Sequence, residues 1–82
     1  MKKDLYFTDP ESGELVQIHW STEGEVPEKV TKYFLVSAET DPSTILSLYK
    51  GQKKKFESPY NSEWYIVERT GEHSIVFYPS EG

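Results

Sequence analysis

The stretch Trp64-Tyr65-Ile66-Val67-Glu68-Arg69-Thr70-Gly71-Glu72-His73-Ser74-Ile75-Val76-Phe77-Tyr78 decides the fold. Two runs of β-branched and aromatic residues flank a short polar segment with a glycine, which is the signature of an antiparallel hairpin. A two-residue turn at Thr70-Gly71 pairs Trp64 with Phe77, Ile66 with Ile75 and Glu68 with His73 on one face. On the other face Tyr65 meets Val76, Val67 meets Ser74 and Arg69 meets Glu72. Apolar residues then meet apolar ones and opposite charges meet at the tip, each pair contributing about 0.2–1 kcal/mol. Thr-Gly is a weaker turn pair than Asn-Gly, so a three-residue turn stays open.

Both faces of this hairpin carry large apolar residues, whereas an ordinary half-buried sheet has one apolar and one polar face. The chain has 82 residues and a mass of 9.5 kDa, read as a single small domain over 1–82. A chain of this size buries only roughly 60% of its unfolded surface, so covering both faces is difficult. The expectation is a partner-binding aromatic surface built from Trp64, Tyr65, Phe77, Tyr78 and Pro79. Tyrosine and tryptophan suit interfaces because they bury much area at low entropy cost and still satisfy a polar group. A second copy of the chain is one candidate partner, which leaves a homodimer open.

Upstream of the hairpin, turn signals and two-residue alternation organise the chain. Leu5 to Thr8 reads as a strand and Asp9-Pro10-Glu11-Ser12-Gly13 as a turn, with Asp capping locally and Gly at a positive-φ position. Glu14 to Trp20 reads as the returning strand, with Val16, Ile18 and Trp20 sharing one face. Residues 21–31 read as a connecting loop with room for one helical turn after Pro27, and Tyr33 to Ala38 as a strand on its aromatic and β-branched content. Residues 42–50 allow two readings. One is a short helix capped by Asp41, started by Pro42 and carrying Ile45, Leu48 and Tyr49 as a stripe; the other is an extended segment in a long loop. The expected class is mostly β: a small antiparallel sheet or barrel of about five strands with an N-terminal hairpin, or an α+β version if 42–50 is helical. Residues 1–30 form the acidic hairpin and loop, and 31–82 the remaining sheet.

Charge is segregated along the chain. Residues 4–28 hold seven acids and no base, residues 29–56 hold six lysines, and the net charge is −5. An acidic total repels nucleic-acid backbone at long range, so nucleic acid is a disfavoured partner. The cluster Lys50 to Lys55 beside Phe56 and Tyr60 resembles a single-strand-binding patch in composition, but lysines also protect a sheet edge from aggregation. Asp9, Glu11, Glu14, Glu23 and Glu25 support an alternative function. They suit a small acidic inhibitor of the phage or mobile-element type, presenting carboxylates to a basic nucleic-acid-binding site on a host protein.

The segment Leu46-Ser47-Leu48-Tyr49-Lys50-Gly51-Gln52 resembles the diverging turn of Src-homology-three domains. Glu63-Trp64-Tyr65 is similar to that family's acidic-Trp-aromatic strand start, and Phe77-Tyr78-Pro79-Ser80 to the stretch that closes its barrel and lines its peptide groove. The resemblance spans about residues 33–82 and leaves the acidic hairpin as an extension. It implies a small barrel with Trp64, Phe77 and Pro79 as groove residues. The family's Ala-Leu-Tyr-Asp-Tyr run is absent, and Lys54 stands where an aliphatic core residue is expected.

Catalytic chemistry finds few candidates. With no cysteine, disulfides, thiolate metal sites and cysteine nucleophiles are excluded. His19 and His73 lack metal-ligand spacing, and a Glu68–His73 cross-strand pair reads as a surface contact. The five glycines are scattered as turn residues, and no serine sits in a nucleophile elbow. The expectation is a non-enzymatic protein-binding module with no catalytic residues, cofactor or metal. No apolar run approaches a membrane span and no signal-peptide core follows Met1-Lys2-Lys3, so the expected setting is cytoplasmic without membrane contact.

Overall fold

The structure, a computed structural model, describes residues 4–9, 11–48 and 51–80. Along the chain run β1 (Asp4–Thr8), β2 (Leu15–Thr22), α1 (Glu28–Thr40), α2 (Ser43–Leu46), β3 (Lys53–Glu57), β4 (Trp64–Gly71) and β5 (Ser74–Pro79). The strands form one curled half-barrel sheet in the order β1-β2-β5-β4-β3, so the chain is mostly β with five strands, as its sequence indicates. The sheet is not wholly antiparallel. β2 and β5 run parallel, joined by a crossover that contains both helices and the β3–β4 hairpin.

The N-terminal hairpin forms where turn chemistry places it. The Asp9 carboxylate accepts from the Glu11 N–H at 2.8 Å, and Gly13 takes φ +76 while its N–H reaches the Asp9 carbonyl at 2.8 Å. Val16, Ile18 and Trp20 face inward together, opposite Leu5 and Phe7 of β1. The contribution of Pro10 to the turn lies outside the described residues.

Residues 33–38 are helical, against the strand their composition suggests. Val30, Thr31, Phe34 and Ala38 are the buried positions of α1, a spacing of three to four that only a helix aims at one side. The helix starts directly after Pro27 and extends over 13 residues, well beyond one turn. It stops at Asp41, whose backbone is extended because the following Pro42 disfavours helical geometry there. The next helix, α2, is shorter than 42–50. Pro42, and not Asp41, is its capping residue, and no side chain caps it; the Asp41 carboxylate accepts only from the Ser43 hydroxyl at 2.6 Å, Ile45 and Leu48 are buried, and Tyr49 lies outside the described residues.

The C-terminal hairpin is present, with a register and turn different from the sequence expectation. Tyr65 pairs with Pro79, Ile66 with Tyr78, Val67 with Phe77, Glu68 with Val76 and Arg69 with Ile75. The turn falls at Glu72-His73, and a bulge between Arg69 and Gly71 absorbs the extra residue, Thr70. An odd shift of register exchanges the faces of the partner residues. It gathers Tyr65, Val67, Ile75 and Phe77 on one inward face, whereas the Thr70-Gly71 turn would leave Glu68 and His73 beside Trp64 and Phe77. Arg69 is the one charged residue β4 and β5 turn inward, and its guanidinium is hydrogen-bonded. It donates to the carbonyls of Leu48 and Glu72, both at 2.7 Å, and of Gly71 at 3.3 Å.

Leu5, Phe7, Ile18, Val67, Ile75 and Phe77 from the sheet close on Phe34, Ala38, Ile45 and Leu48 from the helical segment. Within this core Phe34, Phe56 and Phe77 form an aromatic cluster with ring centroids 5.1–6.5 Å apart. Both helices therefore cover the same face of the sheet, and the other face turns outward.

Candidate functional site

Alternation along β3, β4 and β5 sends every second side chain to the uncovered face. These are Lys53, Lys55 and Glu57 on β3, Trp64, Ile66 and Glu68 on β4, and Val76 and Tyr78 on β5. The registers place Tyr78 beside Ile66 and Ile66 beside Lys55, with Trp64 next to Glu57 and Glu68 between Val76 and Lys53. The result is an apolar strip of Trp64, Ile66 and Tyr78 bordered by two lysines and two glutamates.

Trp64 is 43% exposed, with the Lys55 ammonium 5.2 Å from its ring centroid. Tyr78 is half-buried and donates its hydroxyl hydrogen to Glu68 Oε1 at 2.8 Å. That hydrogen bond exists only with the phenol protonated, so it raises the Tyr78 pKa above the usual tyrosine range. Partial burial adds to the rise, and Lys53 opposes it. The tyrosine is thus held in one orientation, with its ring against Ile66 and its hydroxyl on the charged border.

The five residues expected to form one aromatic surface do not do so. Tyr65 is 4% exposed and Phe77 is fully buried, because the observed register turns both inward. Tyr65 instead anchors the β3–β4 turn, its hydroxyl accepting from Asn61 Nδ2 at 3.0 Å. Pro79 is exposed at the end of β5, packed beside Gly24, where the positive φ of +69 and a Cβ position only 3.3 Å from Pro79 Cδ favour glycine. Trp64 and Tyr78 are the pair the structure brings together outside. The groove set implied by the Src-homology-three resemblance divides in the same way, with Phe77 in the core and Trp64 on the opposite face. Ile66, Lys53 and Lys55 join the surface; alternation puts Ile66 on the Trp64 side of β4, and the observed register sets Tyr78 beside it.

The acidic residues divide too. Asp9, Glu11 and Glu14 sit at one end of β2, while Glu23 and Glu25 follow its other end. The eight residues of β2 put about 25 Å between the two groups at roughly 3.3 Å per residue, so they form no single acidic face. The expected contact between Glu68 and His73 is also absent: Glu68 pairs with Val76 and binds Tyr78, while His73 lies in the turn. His19 Nδ1 lies 3.0 Å from Asp4 Oδ1 at the surface. Among the described residues no group of three or more His, Asp or Glu side chains is placed to hold a metal ion. Among the described residues no helix is long and apolar enough to cross a membrane.

No protein-family model, curated protein or solved structure matches the chain.

Proposed function

We propose that this chain is a non-enzymatic interaction module that binds a partner protein through the uncovered face of β3, β4 and β5. The observation that carries this reading is Trp64, a large aromatic left 43% exposed beside Ile66 and an oriented Tyr78 on a sheet face without a helix over it. Exposed apolar strips of this kind, rimmed by charge, are the usual form of protein-docking sites. Tryptophan and tyrosine are also the residues that most often dominate binding energy at such sites. The dispersal of Asp9, Glu11, Glu14, Glu23 and Glu25 to two ends of the sheet favours this face over the acidic-inhibitor reading.

The test is affinity capture from lysate of the source organism at low and high salt, with wild type, Trp64→Ala and Tyr78→Ala compared. Burial of an aromatic strip is weakly salt-sensitive, so one protein is expected on wild type at both salts and on neither variant. Retention by both folded variants would contradict the reading. A protein held at low salt and released from Glu11→Gln/Glu14→Gln or Glu23→Gln/Glu25→Gln would move the function to the acidic ends.

A further inference from the structure

Resting on the reading of the Trp64 face, we propose that the partner is a protein segment that brings an arginine to Glu57, next to an apolar side chain seated on Trp64, Ile66 and Tyr78. Four charged side chains border that strip, and three of them are already engaged. Tyr78 donates to Glu68 at 2.8 Å, and Lys53 reaches the same hydroxyl. The Lys55 ammonium lies 5.2 Å from the Trp64 ring centroid and has a further interaction of its own. Glu57 is the one of the four whose carboxylate has no hydrogen bond or ion pair among the described residues.

The place of Glu57 on the sheet makes this count. The Ser58 N–H reaches the Glu63 carbonyl at 2.9 Å, so residues 58 and 63 form a hydrogen-bonded pair, and Glu57 with Trp64 forms the non-hydrogen-bonded pair beside it. Such pairs have Cα atoms about 4.5 Å apart and the closest side chains in an antiparallel ladder. The Glu57 carboxylate therefore lies alongside an indole that is 43% exposed. A surface that covers the indole also takes water from the carboxylate, and a carboxylate buried without a counter-charge is strongly unfavourable. Glu68, Lys53 and Lys55 carry their contacts into the interface with them; Glu57 must receive its contact from the partner.

This requirement selects the occupant. A second copy of the face presents lysines that are already engaged, and an acidic segment or a phosphate backbone sets like charge beside Glu57. Arginine suits the place better than lysine. Its planar guanidinium takes both oxygens of a carboxylate, and its weaker hydration lowers the cost of seating it beside an indole. Trp64 and Ile66 are two residues apart on β4, about 7 Å at the usual rise per residue, and Tyr78 lies across from Ile66. An apolar residue and an arginine separated by one residue of an extended segment have that same spacing, so the two anchors fit Ile66–Tyr78 and Glu57–Trp64.

The test is a nuclear magnetic resonance titration of the labelled full chain with three capped pentapeptides. The first is Gly-Leu-Ser-Arg-Gly, and the others carry citrulline or glutamate in place of arginine. The expected result is shifts at the Trp64 indole and at the Glu57 and Ile66 amides with the arginine peptide, and affinity about tenfold lower with citrulline. Glu57→Gln should abolish the difference between arginine and citrulline, whereas Glu72→Gln, at the far tip of the β4–β5 hairpin, should leave it in place. Equal binding of all three peptides at the indole would overturn the arginine and retain the face. An arginine preference that survives Glu57→Gln would reduce the contact to general attraction by an acidic chain and overturn the proposal. Tighter binding of the glutamate peptide would overturn it in favour of an acidic partner held by the lysines. Arginine-dependent shifts that spare Trp64, Ile66 and Tyr78 would contradict the face as well. No shift with the arginine peptide at millimolar concentration would overturn the arginine and leave the face to the capture experiment.

Discussion

Trp64 and Tyr65 are neighbours in sequence, as are Phe77 and Tyr78, yet each pair is divided between two environments. Tyr65 and Phe77 sit in the core against Phe34 and Phe56, while Trp64 and Tyr78 face out beside Ile66. The two faces of this hairpin are nearly equal in apolar content, so composition does not say which is the interior. What separates them is the helical segment: Val30, Phe34, Ala38 and Ile45 are buried, and the sheet face they cover becomes the core. A surface that resembles a core in its residues, but has no helix of the described residues over it, is where a binding role is most economically placed.

That comparison is open to direct attack. Phe77→Ala empties the centre of the aromatic cluster, and by the usual cost of truncating a buried phenylalanine it should remove about 3–5 kcal/mol. In a domain of this size that is most of the stability, and urea denaturation should show little folded protein left. Arg69→Ala should cost about 1–3 kcal/mol, because it strips charged donors from the Leu48, Gly71 and Glu72 carbonyls. Arg69→Lys should recover only part of this, since an ammonium lacks the guanidinium fork that reaches all three. Trp64→Ala should cost no more than about 1 kcal/mol, the loss of a half-exposed ring and its Lys55 contact. If Trp64→Ala proved as damaging as Phe77→Ala, the division into interior and docking face would fail.

The smallest effect is spectroscopic. Tyr78 is protonated when it binds Glu68, so its pKa in the folded chain lies above that of the unfolded chain. Its contribution to stability is complete below the ordinary tyrosine range and is lost as pH rises through the folded value. Ultraviolet titration should show a phenol ionising above the ordinary tyrosine range, absent in Tyr78→Phe and shifted down in Glu68→Gln. A titration unchanged by Glu68→Gln would remove the hydrogen bond that orients this side chain.

Much of the N-terminal half of the sheet was legible because local chemistry and tertiary need agree there. Asp9 caps its own turn, Gly13 supplies the positive φ, and Val16-Ile18-Trp20 alternate against Leu5 and Phe7. The segment Tyr33-Phe34-Leu35-Val36 was not legible, since its β-branched and aromatic content speaks for a strand and only burial at 30, 34 and 38 reveals the helix. Thr31 and Thr40 satisfy their hydroxyls by donating to the Glu28 and Val36 carbonyls within the helix. The hairpin register was misread for a related reason. Gly71 advertises a turn, yet it sits in β4 without a positive φ, and the choice between registers is made by which four side chains fill the core. The candidate site inherits that: Trp64 and Tyr78 were visible as interface residues, whereas their sharing one face with Ile66 depends on a register that turn chemistry alone does not fix. The lysines of β3 were readable both as a patch and as an edge, and the edge is what forms.

The central claim is that a partner covers the face bearing Trp64, and site-specific photocrosslinking in cells of the source organism measures it most directly. A benzophenone side chain at position 64 is compared with one at Val36, an exposed residue of α1 on the far side of the sheet. The account predicts one discrete protein adduct from position 64, lost when Tyr78→Ala is added, and none from position 36. An adduct from position 36 alone, or equal adducts from both, would contradict it.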